Sequence, residues 1–357
     1  MNQSTSLNPD MAWMLDQTID NHASDLHIAE QYSPTIRVDG LLRSLDKPPF
    51  TADQANALIG DFVGQHLAER ISTTRRELDF SFGYRDHRFR VNVFYTKGVL
   101  AASLRVLANE ILDPATLGVA PILLQMAEHH QGLIIVAGPT GHGKSTTLAS
   151  IVAHISEQRR GHIITIEDPI EYLFSQKKSM VSQREVGVDT PSFASALRSA
   201  LREDPDVVLL GEMRDLETVE SALRMAETGH LVLTSLHTNS AAQTAERVIS
   251  MFPNERQNQV RQQLSEMLIG IVSQRLLPKV QGGRVLVSEV MVANPAVRSI
   301  LREGKTHQLP NLIQTSAAEG MITMEKALAE LVSKGEISVD EALNWAVDPK
   351  SLKMMIY

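Results

Sequence analysis

The chain contains no cysteine. That absence excludes disulfide bridges, thiolate zinc sites and cysteine nucleophiles. Aromatic residues make up only 4% of the 357 positions, few for a protein that would bind single-stranded nucleic acid by stacking bases on ring faces. Positive charge is not in excess. The formal net charge is −8, so general attraction to a phosphate backbone is not indicated, and DNA binding would need a local basic patch. No apolar run approaches the ~18 residues of a membrane span. Residues 1–25 lack a basic region followed by an apolar core, so no signal peptide is expected. These absences predict a cytoplasmic chain that meets a membrane only through partners. Aliphatic residues are abundant: hydrophobic content reaches 43%, with 14 methionines. That supports substantial cores of an α/β kind, and the length predicts two domains.

The richest stretch is Gly138-Pro139-Thr140-Gly141-His142-Gly143-Lys144-Ser145-Thr146. It fills every fixed position of G-x-x-x-x-G-K-[ST]. The apolar run Leu133–Ala137 before it reads as a buried strand, and residues 147–153 after it read as a helix. Strand, glycine-rich turn and helix together form the context a phosphate loop requires. Gly138, Gly141 and Gly143 let backbone N–H groups turn inward towards phosphate oxygens. The helix N-terminus adds partial positive charge. Lys144 is placed to reach the β- and γ-phosphates of ATP, and Ser145 to offer its hydroxyl to Mg²⁺. His142 carries no assigned role, and a small residue fits that loop position more easily.

Around this motif the chain falls into parts. Met11, Met14, Leu15, Thr18 and Ile19 repeat at helical spacing with Asp10 as cap. Residues 24–28 read as a strand, and 35–42 as a hairpin turning at Asp39-Gly40. Thr51 caps a helix expected through Leu58, Phe62, Leu67 and Ile71. Residues 78–82, 88–95 and 100–106 alternate with period two. This predicts a small N-terminal α/β domain over 1–106 with a mainly antiparallel sheet. Asp113-Pro114, Gly118 and Pro121 mark a linker over 107–121. Strands at 132–137, 162–166, 206–210 and 230–236 then alternate with helices at 147–157, 192–201 and 216–228. That alternation predicts a mainly parallel, doubly covered sheet within 122–292. After Pro253 a helix is expected through Val260, Leu264, Met267, Leu268 and Ile271, then a short hairpin at 284–292. The tail over 293–357 reads as helices.

Further residues invite chemistry, each with a plainer reading beside it. Asp206–Leu210 is an apolar strand followed by Gly211-Glu212. Such an acid is either a strand terminus or, at the carboxyl end of a strand beside a phosphate loop, a group that orients water on Mg²⁺. Glu167, Asp168 and Glu171 put three carboxylates in five residues. They are a solvated loop or a cluster held by Mg²⁺ and arginines, one of them positioning water near the γ-phosphate. His230 and His237 bracket the strand at 231–236. Nothing nearby completes a zinc set, so they are structural or serve to couple phosphate state to the fold. On the strand at 88–95, Arg88, Arg90 and Asn92 share one face and Phe89, Val91 and Val93 the other. Arg105 sits likewise on a polar face. Such arginines are ordinarily solvated.

In order along the chain, several blocks resemble the secretion ATPase superfamily. Residues 138–146 and 165–172 are similar to its Walker A motif and Asp box. Residues 183–187, 197–206 and 211–215 are similar to its next blocks, and 226–230 with 235–238 to its His box. Ser24-Asp25-Leu26-His27, Arg88-Phe89-Arg90-Val91-Asn92 and Ala296-Val297-Arg298-Ser299-Ile300-Leu301-Arg302-Glu303 narrow the resemblance to its type IV pilus retraction branch, the PilT family. His142 replaces a usual serine, and Val297 and Ser299 vary the last motif. Assembly and type II secretion members usually carry a four-cysteine zinc site, so a chain without cysteine sides with retraction.

The resemblance implies a PAS-like N-terminal domain, a RecA-like ATPase domain, a helical C-terminal tail, and a homohexameric ring. It implies nucleotide between the two domains, with Lys144 and Ser145 on phosphates and Mg²⁺, and Glu212 as the Walker B acid acting through water. It gives Glu171 as general base, and Arg90 and Arg105 as phosphate-contacting arginines. The implied place of action is the cytoplasmic face of the inner membrane, on a pilus platform protein and alongside a paralogous retraction ATPase. A PilU-type accessory motor and a secretion-system ATPase are the near alternatives. A RecA-like nucleic-acid translocase or a scaffold that uses ATP only as structural glue are the distant ones.

Overall fold

Period-two patterning in the N-terminal part builds a sheet with one dry face. The computed structural model describes residues 7–38, 40–64, 77–107 and 110–357. It divides into two compact units: Met1–Glu110 with Pro169–Leu173, and Ile111–Asp168 with Phe174–Tyr357. The first unit holds β1 (Asp25–Ile28), β2 (Thr35–Val38), β3 (Leu41–Ser44), β4 (Glu77–Tyr84), β5 (His87–Thr96) and β6 (Val99–Leu107). They lie in the order β3-β2-β1-β6-β5-β4, every neighbouring pair antiparallel. Phe89, Val91, Val93 and Leu104 are buried with Met11, Met14 and Leu15 of the helix Pro9–Asp20 and with Leu58, Ile59 and Phe62 of the helix Ala52–Val63. Each such side chain taken from water contributes about 1.5–3 kcal/mol.

The caps differ in one detail from the sequence reading. Asn8, not Asp10, caps the first helix, its side chain accepting from the Asp10 N–H. Pro9 occupies the first helical position, where its missing N–H costs nothing, so the helix starts two residues earlier than a cap at Asp10 would set it. Asp10 then lies in the first turn, where its charge suits the helix dipole. Thr51 caps the second helix through a reciprocal box with Gln54, and Gly64 ends it. The expected continuation through Leu67 and Ile71, and Asp39 of the β2–β3 turn, lie outside the described residues.

The second unit is a seven-stranded sheet in the order β13-β12-β7-β11-β10-β8-β9. Its strands are β7 (Gly132–Ala137), β8 (His162–Glu167), β9 (Met180–Glu185), β10 (Val207–Leu210), β11 (Leu231–Leu236), β12 (Leu268–Pro278) and β13 (Arg284–Val292). All pairs are parallel except β12–β13. The unbroken apolar character of β7 follows from burial on both faces. Leu133, Ile135 and Ala137 join the core beneath the helices Phe193–Ala200, Leu216–Glu227 and Ala241–Ser250. Ile134 and Val136 join the opposite core with Leu148, Ile151 and Val152 of the helix Lys144–Gln158. Helices from Pro295 onward complete the chain, and Met324, Leu328, Ala342 and Leu352 pack with Leu277 and Val287 of the β12–β13 pair.

Two elements depart from the sequence reading. The helix after Pro253 stops at Met267, and Leu268 and Ile271 belong to β12. The run Ile269-Gly270-Ile271-Val272 is branched and apolar on both faces, and it pairs with β7 on one side and β13 on the other. Sheet burial therefore overrides a helical spacing that Leu264, Leu268 and Ile271 also satisfy. Residues 284–292 accordingly form one long strand opposite β12 rather than a short hairpin of their own. The edge strand β9 was not expected, because Met180-Val181-Ser182-Gln183-Arg184-Glu185 carries no apolar run.

Candidate nucleotide site

At the carboxyl end of β7, Ala137 lies between Leu236 of β11 and Ser273 of β12. The chain then turns through Gly138, whose φ is +149°. A Cβ there would stand 2.5 Å from the Gln274 carbonyl oxygen, so this turn admits glycine alone without moving backbone. Gly143, at φ +78°, is the N-cap of the helix Lys144–Gln158 and supplies no side-chain cap. First-turn N–H groups and the positive end of the helix dipole are thus directed into the loop, the arrangement a phosphate requires. Lys144 is only 7% exposed. Its ammonium donates to the carbonyls of Gly138 and Pro139, each at 2.9 Å, which holds it inside the loop. Ser145 is exposed on the first helical turn.

Neighbouring strands bring the acid and a histidine to the same end. Glu212 follows β10, its side chain 16% exposed. One oxygen is bound by the Arg214 guanidinium. The other lies 3.3 Å from Nε2 of His237, the residue that follows β11. His237 Nδ1 faces Thr140 Oγ1 at 3.3 Å and Lys144 Nζ at 3.4 Å. A neutral ring protonated on Nε2 satisfies this set: it donates to Glu212 and accepts from Lys144 or Thr140. One imidazole therefore spans the phosphate-loop lysine and the strand-end acid. Arg214 also reaches Asp168 at 3.5 Å. The hydrogen bond to Glu212, with both carboxylates nearby, holds its pKa above the ordinary guanidinium value.

His230 lies at the opposite end of β11, its Nδ1 3.0 Å from the Met225 carbonyl and 3.1 Å from Thr228 Oγ1. A six-residue strand spans about 20 Å, so the two histidines do not meet, and His230 closes the turn before the strand. Glu167 accepts from Thr165 at 2.7 Å, Asp168 pairs with Arg214, and Glu171 lies in Pro169–Leu173, which belongs to the first unit.

In that first unit, Arg90 and Arg105 are direct cross-strand partners on β5 and β6. Like charges so placed repel, and acids beside them offset this. Arg105 Nε donates to Asp25 at 2.8 Å, and Arg90 stands 4.0 Å from Asp79. Both side chains keep substantial exposure, 68% and 42%. The Ser24-Asp25 pair gains a physical role here. Burial pushes the Asp25 carboxyl up, but the Ser24 hydroxyl, donating at 2.8 Å, and Arg105 outweigh it and hold its pKa below the usual range. Arg88, on the same face, donates to the Ile170 carbonyl at 3.2 Å and to the Ser81 hydroxyl.

Sequence reading missed the supports of the loop. Gln274 donates to the His142 carbonyl at 2.7 Å, and the Leu276 N–H donates to the His142 ring at 3.0 Å. Both lie on β12 where a helix had been expected to end, so no local signal pointed to them. Arg214 falls within the block at 211–215, where spacing alone names no partner for it.

The family described as type II/IV secretion system protein matches residues 2–344. The chain is 45% identical to the type IV pilus retraction ATPase PilT of Pseudomonas aeruginosa, over 92% of this chain and 96% of that one. It is 38% identical to the type IV pilus ATPase PilU of the same organism, over 95% of this chain and 89% of that one. A crystal structure of the pilus retraction motor PilT with bound ADP superposes with a TM-score of 0.90 at 47% identity, covering 96% of this chain and 99% of that one. The mixed α/β architecture and helical C-terminal segment follow that structure. With a phosphate loop, a strand-end acid and a bridging histidine assembled at one end of its parallel sheet, the chain belongs to the type II/IV secretion system protein family and is an ATP hydrolase of it.

Proposed function

We propose that this chain hydrolyses ATP to withdraw type IV pili, as the retraction motor rather than as an accessory paralogue. The observation that carries the reading is the connected set Lys144–His237–Glu212, in a chain 45% identical to a pilus retraction ATPase along nearly its whole length. Lys144 binds the β- and γ-phosphates, and the loop N–H groups hold the rest of the phosphate chain. Among the described residues no group of three His, Asp or Glu is gathered to hold a metal alone. The Ser145 hydroxyl, and Glu212 through water, would hold the Mg²⁺ of a bound nucleotide. That ion would supply positive charge against the charge that develops on the phosphate oxygens. Glu171 takes the proton of the attacking water. His237, touching both the loop lysine and Glu212, is placed to register whether the γ-phosphate is present, whereas His230 keeps a supporting role beneath the strand.

The wider assembly is part of the same proposal: a homohexameric ring at the cytoplasmic face of the inner membrane, working on a pilus platform protein. No described helix is long and apolar enough to cross a membrane, which fits attachment through partners. Arg90 and Arg105 contribute guanidinium groups to the phosphates. Arg90→Ala and Arg105→Ala are each expected to lose most ATPase activity while still forming rings, as read by phosphate release beside gel filtration. Arg88→Ala is expected to be milder, because Arg88 is committed to the Ile170 carbonyl and Ser81.

Deleting the gene tests the direction of work. Cells without this protein are expected to carry more surface pili and to lose twitching motility. Fewer pili would instead assign the chain to assembly or secretion.

A further inference from the structure

β7 ends at Ala137, opposite Ser273, while β12 continues to Pro278. Beyond Ser273 no described strand pairs with the edge of β12 facing β7, and one phosphate-loop residue takes its place. His142 accepts from the Leu276 N–H through Nδ1 at 3.0 Å, and its carbonyl accepts from Gln274 Nε2 at 2.7 Å. The same ring stands edge-on to Trp345, with centroids 4.8 Å apart and planes at 65°. Trp345 ends the helix Val339–Trp345 and is itself fixed, its Nε1 donating to Glu341 at 2.9 Å. We infer that His142 is a positioning residue that fastens the phosphate loop to β12 and, through Trp345, to the C-terminal helices, so that nucleotide affinity depends on that helical region. A serine at this position has neither the reach nor the ring to make both contacts. The inference rests on the phosphate loop being the nucleotide site.

The bond from Leu276 requires a lone pair on Nδ1, so the ring is neutral and its proton is on Nε2. Burial first, then the cations Arg275 on β12, Lys144 on the loop helix and Arg284 on β13, keep the His142 pKa below the ordinary histidine value. On the tryptophan side, Glu341 is engaged by the indole. Because the folded pKa is lowered, the stabilisation from this contact is complete above the ordinary histidine value of about 6.5. It is lost as pH falls through the lower folded value.

The test is ADP binding to the full chain by calorimetry, with Lys144→Ala as reference. Trp345→Ala and His142→Ser are each expected to weaken ADP about three- to tenfold, the range an edge-to-face aromatic contact supplies. The double variant is expected to be no weaker than the worse single one, because both remove the same contact. Trp345→Phe, which keeps an aromatic edge, is expected to bind nearly as the wild type. Wild-type affinity should fall as pH drops through the lowered His142 value, and by more than in His142→Asn, whose acceptor does not titrate there. Wild-type affinity in Trp345→Ala, multiplied effects in the double variant, or an acid weakening as large in His142→Asn as in the wild type would each overturn the inference. If Lys144→Ala still abolishes binding in that case, the nucleotide site stands without it. Unchanged binding in Lys144→Ala would remove the site itself.

Discussion

Lys144→Ala is expected to abolish ATP hydrolysis while leaving the chain folded. The ammonium is nearly buried and is held by the Gly138 and Pro139 carbonyls. A cation held in advance at low dielectric acts on the charge that develops in the transition state without reorganising. Removing one such preorganised group costs about 10²–10³ in turnover where it acts by donation alone, and Lys144 also binds the ground-state phosphates, so affinity falls too. Truncation leaves two carbonyls of the loop short of a donor, at about 1–3 kcal/mol. The hydrophobic cores on either face of the sheet do not include Lys144. Circular dichroism should therefore stay native-like with a lowered melting temperature. Phosphate release at the wild-type rate would take the phosphate loop out of the mechanism.

The second large effect separates two glutamates. Glu171→Gln is expected to lower turnover about 10²–10⁴-fold with little change in nucleotide or Mg²⁺ affinity. It removes the base and keeps the shape. Glu212→Gln is expected to bind ATP, hydrolyse it poorly and need more Mg²⁺ to do so. It also leaves Arg214 with only Asp168 and weakens the contact to His237, so the loss extends beyond the ion. Titrating Mg²⁺ against steady-state hydrolysis for both variants distinguishes them. Reversed phenotypes would exchange the two roles and keep the site.

Much of this was legible because phosphate-loop chemistry is local. Gly138, Gly143, Lys144 and Ser145 lie within one turn between a strand and a helix, and each has a physical reason to be what it is. The alternation of Phe89, Val91 and Val93 against Arg88, Arg90 and Asn92 likewise assigned faces correctly, because strand periodicity does not depend on the partner. What resisted reading depends on distant segments. Leu264, Leu268 and Ile271 fit a helix until β7 and β13 claim the last two for the sheet. Gly270 marks how closely this strand is packed, since a Cβ there would stand 2.7 Å from the Met291 carbonyl oxygen. The contact of His237 with Glu212 arises from the parallel register that sets Leu210 beside Thr234, and no sequence spacing announces it. Trp345 beside His142 is further still from any local signal.

The central claim is that hydrolysis at this site withdraws pili, and watching single pili tests it most directly. In cells whose only copy carries Glu171→Gln, fluorescently labelled pili are expected to extend normally and then stay out, while the wild-type copy restores withdrawal. Pili that withdraw at the wild-type rate in the Glu171→Gln strain, or that fail to extend at all, would contradict the account.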